Sequence, residues 1–255
     1  MLTVARQELR GLWLGGRGLP LLFGFSALLG VVTYLAASNK TINFLETREA
    51  VNLALQVAVA VGALLTLLVA ADAVSGERER GTLESLLLTP MPRASLVSGK
   101  LLAALSLWVG AMAIAVPYVW FLGHSVGAVG DAVISGFAIG SLIAVALAAF
   151  GLLVSVFARS NRLSLSVCLF VLLALFAPTQ FPTGAQTGWV GDLLQRANPL
   201  TAGEHYIGKV VVDQHAWTHD ASWLISPIVA AVLIVAIAIG VAPRLMTLGG
   251  GRSSR

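Results

Sequence analysis

The run Asp72-Ala-Val-Ser-Gly-Glu77-Arg78-Glu79-Arg80-Gly81-Thr82-Leu83-Glu84-Ser-Leu86-Leu87-Leu88-Thr89-Pro90-Met-Pro92-Arg93 is the densest charge cluster in a chain with only 11% charged residues, and strongly apolar sequence flanks it on both sides. Thr82 is placed to cap a short helix. Its hydroxyl would take an orphan amide, and Glu84 in the first turn would complement the positive helix end. Pro90 and Pro92 then end that helix. Leu83, Leu86 and Leu87 fall at i, i+3 and i+4 and make an apolar face about two turns long. A helix this short is marginal alone. Its leucine face must be held by the protein's own helices or by a partner.

The surrounding sequence fixes the class. With 57% hydrophobic residues over 255 positions and a mean hydropathy of +0.88, the chain has more apolar surface than a soluble core could hide. It reads as an all-α integral membrane protein. The single cysteine, Cys168, excludes an internal disulfide and sits in an apolar run as a buried thiol. The formal charge of +4 comes from bases beside apolar segments, so topology explains it and no nucleic-acid partner is expected.

Residues 1–17 set Leu2, Ala5, Leu9, Leu12 and Trp13 on one helical face and Arg6, Gln7 and Arg10 opposite, the pattern of an interfacial amphipathic helix. Leu35-Ala36-Ala37-Ser38 would suit signal cleavage. The apolar run before it is longer than a signal h-region and its leader is amphipathic, so a retained first span is expected. Six spans of about twenty residues follow the apolar runs: Leu19 to Ala37, Ala50 to Ala71, Leu101 to Leu122, Ala132 to Phe157, Leu163 to Phe181 and Trp223 to Ala242. With a cytoplasmic N-terminus, twelve of the sixteen Lys and Arg residues fall inside, leaving Lys40, Arg48, Arg196 and Lys209 outside. That bias puts both termini and the Glu77 to Arg93 stretch in the cytoplasm of a multi-pass cell-membrane protein.

The opening stretch resembles the first cytoplasmic loop of the ABC-2 family of transporter permeases. There, a Glu-Arg-x-x-Gly-Thr-Leu-Glu run, a later Pro and a Gly-Lys form the segment that docks on a separate ATPase. The matching residues here are Glu77, Arg78, Glu79, Arg80, Gly81, Thr82, Leu83 and Glu84, then Pro90 and Gly99-Lys100. The resemblance implies one domain over 1–255, with an interfacial helix (1–17), a cytoplasmic coupling helix in the loop between spans 2 and 3 (73–98), re-entrant outer helices between spans 5 and 6 (182–222) and a cytoplasmic tail (244–255). It implies a coupling segment that includes Leu86 and Leu87, two cytoplasmic ATPase subunits holding ATP and Mg, and a second permease copy, identical or related. Periodicity alone also allows a plain surface helix in the outer segment.

No phosphate cradle lies in the chain. Gly99-Lys100 is followed by Leu101, and Ala94 stands at the earlier glycine position, so ATP hydrolysis is expected on a partner. The spans are nearly free of ionisable groups, which favours an outside energy source and a hydrophobic or amphipathic exported cargo. Gly136-Phe-Ala-Ile-Gly140 is a small-xxx-small face for internal packing or a subunit contact, and Pro117 suggests a kink. Trp120, Trp189, Trp217 and Trp223 gather near the outer boundary, with Trp13 near the inner one. His205, His215 and His219 share the outer segment with Glu204, Asp213 and Asp220. His215 and His219 at i, i+4 would share a helix face, and imidazole with carboxylate suits zinc or copper, although a solvated polar loop is the simpler reading. The Gly76 to Glu84 run also resembles copper-site maturation permeases. A third alternative is a non-transporting membrane scaffold whose Leu83 to Leu88 helix recruits a cytosolic protein.

Overall fold

Apolar runs of twenty or more residues can satisfy their amides in lipid only as helices. The computed structural model describes residues 2–38, 44–83, 92–180 and 188–245. Among them it shows α1 (Leu2–Trp13), α2 (Gly18–Ala37), α3 (Phe44–Glu79), α4 (Arg93–Gly123), α5 (Val129–Phe157), α6 (Asn161–Phe176), α7 (Trp189–Ala197), α8 (Pro199–Val211) and α9 (Ile225–Leu245), joined by turns and short 3-10 segments and with no strand. Glu84, Leu86, Leu87 and Pro90 of the expected coupling helix, the Pro182-Thr-Gly184 turn and the tail from Gly249 lie outside the described residues.

Among the described residues, five helices are long and apolar enough to cross a membrane: Gly18–Ala37, Glu46–Glu79, Arg93–Val126, Val129–Phe157 and Ala221–Arg244. The segment expected as the fifth span behaves differently. α6 has 16 residues, about 24 Å of helix against a hydrocarbon layer of about 30 Å, and continues only as the 3-10 turn Ala177–Gln180. α3 is longer than expected. With no breaker between Phe44 and Arg80 it runs for 36 residues, bringing Arg48 and Glu79 onto one rod.

α3 and α5 form the centre, pressed together at glycines. A Cβ on Gly136 would lie 2.4 Å from the Leu55 side chain, and one on Gly140 2.5 Å from the Trp108 ring. Trp108 donates to Ser141 Oγ at 2.9 Å. The Gly136 to Gly140 face is thus filled within the chain. α4 continues through Pro117. α1 lies along α4, with Glu8 at Lys100 and Trp13 Nε1 donating to Ser106 Oγ at 3.0 Å.

Both ends of the described chain reach the same end of the bundle. Glu8 of α1 meets Lys100 there, and Ala242 of α9 shares an apolar cluster with Val74, Leu83 and Val97. At the opposite end the buried Arg48 guanidinium donates to Val211 O at 2.8 Å and Val126 O at 2.9 Å, satisfying carbonyls that end α8 and the turn after α4. Between these ends α8 leans into the bundle. Leu200, Tyr206 and Ile207 are buried, and a Cβ on Gly203 would meet Ile143 at 2.9 Å, so α8 is no surface helix. Asn198 joins its start to α6: Oδ1 accepts from Leu200 N at 3.0 Å, while Nδ2 donates to Leu175 O at 2.6 Å. Pro199, with no amide hydrogen to lose, follows at the first helical position.

If Gly140 lets Trp108 seat between α3 and α5, Gly140→Val should destabilise the detergent-solubilised protein by about 1–3 kcal/mol, seen as a lowered thermal midpoint, because overpacking forces Trp108 out of place.

Candidate functional site

The charged run that sequence reading displays on a loop is, for half its length, the last turn of α3. Gly81, at φ +70°, closes the helix in the left-handed conformation that glycine adopts without strain. Gly81 N donates to Arg78 O at 3.2 Å and Thr82 N to Glu77 O at 3.0 Å, the paired bonds of a Schellman end. Thr82 Oγ1 also donates to Glu77 O at 3.3 Å. Thr82, expected to start the next helix, therefore takes part in finishing this one. Leu83 is buried among Val74, Val97, Leu101 and Ala104. For the first leucine of the face, the chain's own helices supply the cover.

Each charged side chain in that turn reaches a different helix. Glu77 accepts from Lys100 Nζ at 2.5 Å, and Lys100, only 3% exposed, also donates to Glu8 at 2.8 Å, so α1, α3 and α4 meet on one ammonium. Arg78 donates to Ala158 O and, at 3.2 Å, to Val156 O, capping the end of α5. Glu79 accepts from the backbone amide of Asn161 at 2.7 Å, where α6 begins. One turn back, Asp72 accepts from Arg17 at 3.3 Å, Arg80 at 3.4 Å and Asn161 Nδ2 at 2.7 Å. A Cβ on Gly76 would fall 2.0 Å from Asp72 Oδ1, so the missing side chain makes room for that carboxylate. Beneath lies a hydroxyl cluster: Ser155 Oγ accepts from the amides of Val74 and Ser75, and Ser75 Oγ donates to Ala71 O at 2.8 Å. Glu79, Arg80, Gly81 and Thr82 remain exposed. A cavity of about 530 Å3, lined by Glu8, Arg17, Asp72, Glu77 and Lys100 among others, adjoins the cluster.

Sequence reading missed Glu8, Asp72, Ser155 and Asn161 as members of this junction and counted Lys100 as a topology marker and motif match. Their signal was lone charges and small hydroxyls at the ends of apolar runs, the places where helices must be tied together.

The outer histidines divide. His215 and His219 share no helix, since residues 212–220 form turns. Those turns are pinned where His215 N donates to Lys209 O and Tyr206 Oη donates to Trp217 O. They still bring His215 Nδ1 to 2.7 Å and His219 Nδ1 to 3.3 Å from Asp220 Oδ2, with ligand atoms of all three within 4.8 Å of one another. The hydrogen bond from His215 helps hold the Asp220 carboxyl below its ordinary range. His205 stands apart, stacked on Trp223 with the ring centroids 4.0 Å apart. Trp223, expected at the lipid boundary, is itself buried, with Arg196 above its ring. Trp120 and Trp189 are exposed. Between the start of α3 and the polar side of α8 lies a second cavity of about 480 Å3.

A long-helix bundle with a charged, multi-helix junction at one end and no described catalytic constellation defines a polytopic membrane subunit. The family model of ABC-2 family transporter proteins matches residues 25–245, and the chain belongs to that family. It is the membrane subunit of an ABC transporter, and the family implies a partner ATPase subunit. A search of curated proteins finds no match.

Lys100→Met should cost about 3–5 kcal/mol of stability by leaving two carboxylates without their cation. Adding Glu77→Gln should recover part of the loss in a denaturation double-mutant cycle. Strict additivity would show that the pair is not coupled.

Proposed function

We propose that the chain is the permease of an ATP-driven exporter, coupled to its ATPase through Glu77 to Pro90. One observation carries this reading. The turn that feeds the coupling loop is bonded directly to α4, α5 and α6 and, through Lys100, to α1, so a displacement of the loop is delivered to most of the bundle at once. In this reading Arg6, Arg17, Arg80, Arg93, Arg159 and Arg244 mark the cytoplasmic side, as the positive-inside rule requires. The chain passes six times, with α7 and α8 re-entering to complete the outer part of the pass that α6 begins. Two permeases work with two ATPase subunits that hold ATP and Mg. ATP-driven closure of the ATPases pushes the coupling helix and switches the bundle between inward- and outward-facing states. The cargo is hydrophobic or amphipathic, in keeping with the apolar spans.

Leu86→Asp or Leu87→Asp should release the co-purifying ATPase, because docking would bury an unpaired charge at a cost of several kcal/mol, on the order of a hundredfold or more in affinity. Unchanged ATPase binding together with unchanged ATP-driven flux would overturn the coupling claim.

A second reading, a metal-linked machine of the copper-site maturation kind, is favoured by the convergence of His215, His219 and Asp220. It expects stoichiometric Cu2+ or Zn2+ binding that His215→Ala with His219→Ala abolishes. Absence of binding to the wild type ends it.

A further inference from the structure

The cavity between α3 and α8 is built from two facing polar stripes. Glu49, Asn52 and Gln56 recur at i, i+3 and i+7 along α3, and Thr201, Glu204 and Gly208 recur at the same spacing along α8. That spacing aims each set from one side of its helix into the shared space. Polar groups are costly on a helix of this hydropathy and persist where they are used. The volume, about 480 Å3, is that of a small-molecule site.

The charges in this space do not balance. Lys209 is engaged by Asp213 at 2.9 Å, one turn along the same helix. His205 is turned onto Trp223. Arg48, beside Glu49 in sequence, is spent on the carbonyls of Val211 and Val126. Glu204 is left half-buried, with no described hydrogen bond or ion pair. Glu49 faces the same space with no described cation against it. The Asn52 amide oxygen is buried without a partner at the same wall. Among the described residues the site is therefore rich in acceptors, and the lysine that lines it, Lys209, is already paired.

We propose that this cavity binds the primary ammonium group of an organic amine, with Glu204 as the counter-charge and Glu49 and the amide oxygens of α3 taking the remaining N–H groups. A primary ammonium offers three donors, which a quaternary cation lacks and a bare proton cannot distribute. The same chemistry is carried by a soluble amine and by an ethanolamine lipid headgroup. The claim that the bound amine is cargo rests on the export reading; the claim that it binds does not.

The test uses the purified full-length chain in phosphatidylcholine nanodiscs, with dansylcadaverine as probe and its N-acetyl derivative as the uncharged control, read by fluorescence anisotropy. At about pH 8 the amine should bind at least about tenfold more tightly than the acetylated control. Glu204→Gln should remove most of that difference, and Glu204→Asp should keep it. If Glu204→Gln does not yield folded protein by gel filtration, Glu49→Gln takes its place and should weaken the amine alone. Equal binding of amine and control, or a Glu204→Gln protein that binds the amine as the wild type does, would overturn the site. Loss of binding when phosphatidylethanolamine is added assigns the site to a headgroup; retained binding assigns it to a soluble amine. Binding without ATP-driven movement of the amine would leave the site standing and count against it as the cargo site of an exporter.

Discussion

A single ammonium group, taken almost wholly out of water, is the constraint on which one end of the bundle depends. Lys100 lies between Glu77 and Glu8, and removing either partner would leave a buried charge short of its counter-ion. Because the three residues sit on three helices, satisfying the charge fixes how α1, α3 and α4 lie against each other. Neighbouring contacts extend the logic: Arg78 closes the carbonyl end of α5, Glu79 the amide end of α6, and Asp72 gathers Arg17, Arg80 and Asn161. Helix ends carry unmet backbone groups, and charged side chains from one neighbour meet those of two others.

The other end is held on different terms. Arg48 again meets exposed carbonyls, but the elements it gathers are short, and α8 reaches into the bundle beside the interior of α5. Where α6 stops, one asparagine amide serves two helices at once. The polar lining of the cavity between α3 and α8 follows from this, since α8 can turn Glu204 and Lys209 to one side only because its other side is packed on Ile139 and Ile143.

Much of the architecture was legible. Helix class, the four long apolar runs before Asn161 and the last span follow from hydropathy and length alone. The short α6 was only partly legible: Pro178, Thr179 and Gln180 weaken the end of the expected span, but nothing there says that Asn198, more than twenty residues on, takes the Leu175 carbonyl. The charged run was only half legible. Periodicity found the leucines after Thr82, but Gly81 was read as a motif letter when its physical role is the positive φ that ends α3. Glu77, Arg78 and Glu79 then belong to the preceding helix, where their spacing around the axis sends them to separate neighbours. The histidines show the reverse: i, i+4 spacing suggested a helix face, while proximity arose from turns pinned by Tyr206 and Lys209.

The Asn198 amide gives the two halves unequal compliance. A continuous helix bends only by straining many backbone bonds together, whereas α6 and α8 pivot on side-chain hydrogen bonds worth about 1 kcal/mol each. In the proposed coupling, an impulse arriving at the ion-paired base would be taken up as rotation near that junction, with the widest excursion on the face where the cavity between α3 and α8 opens.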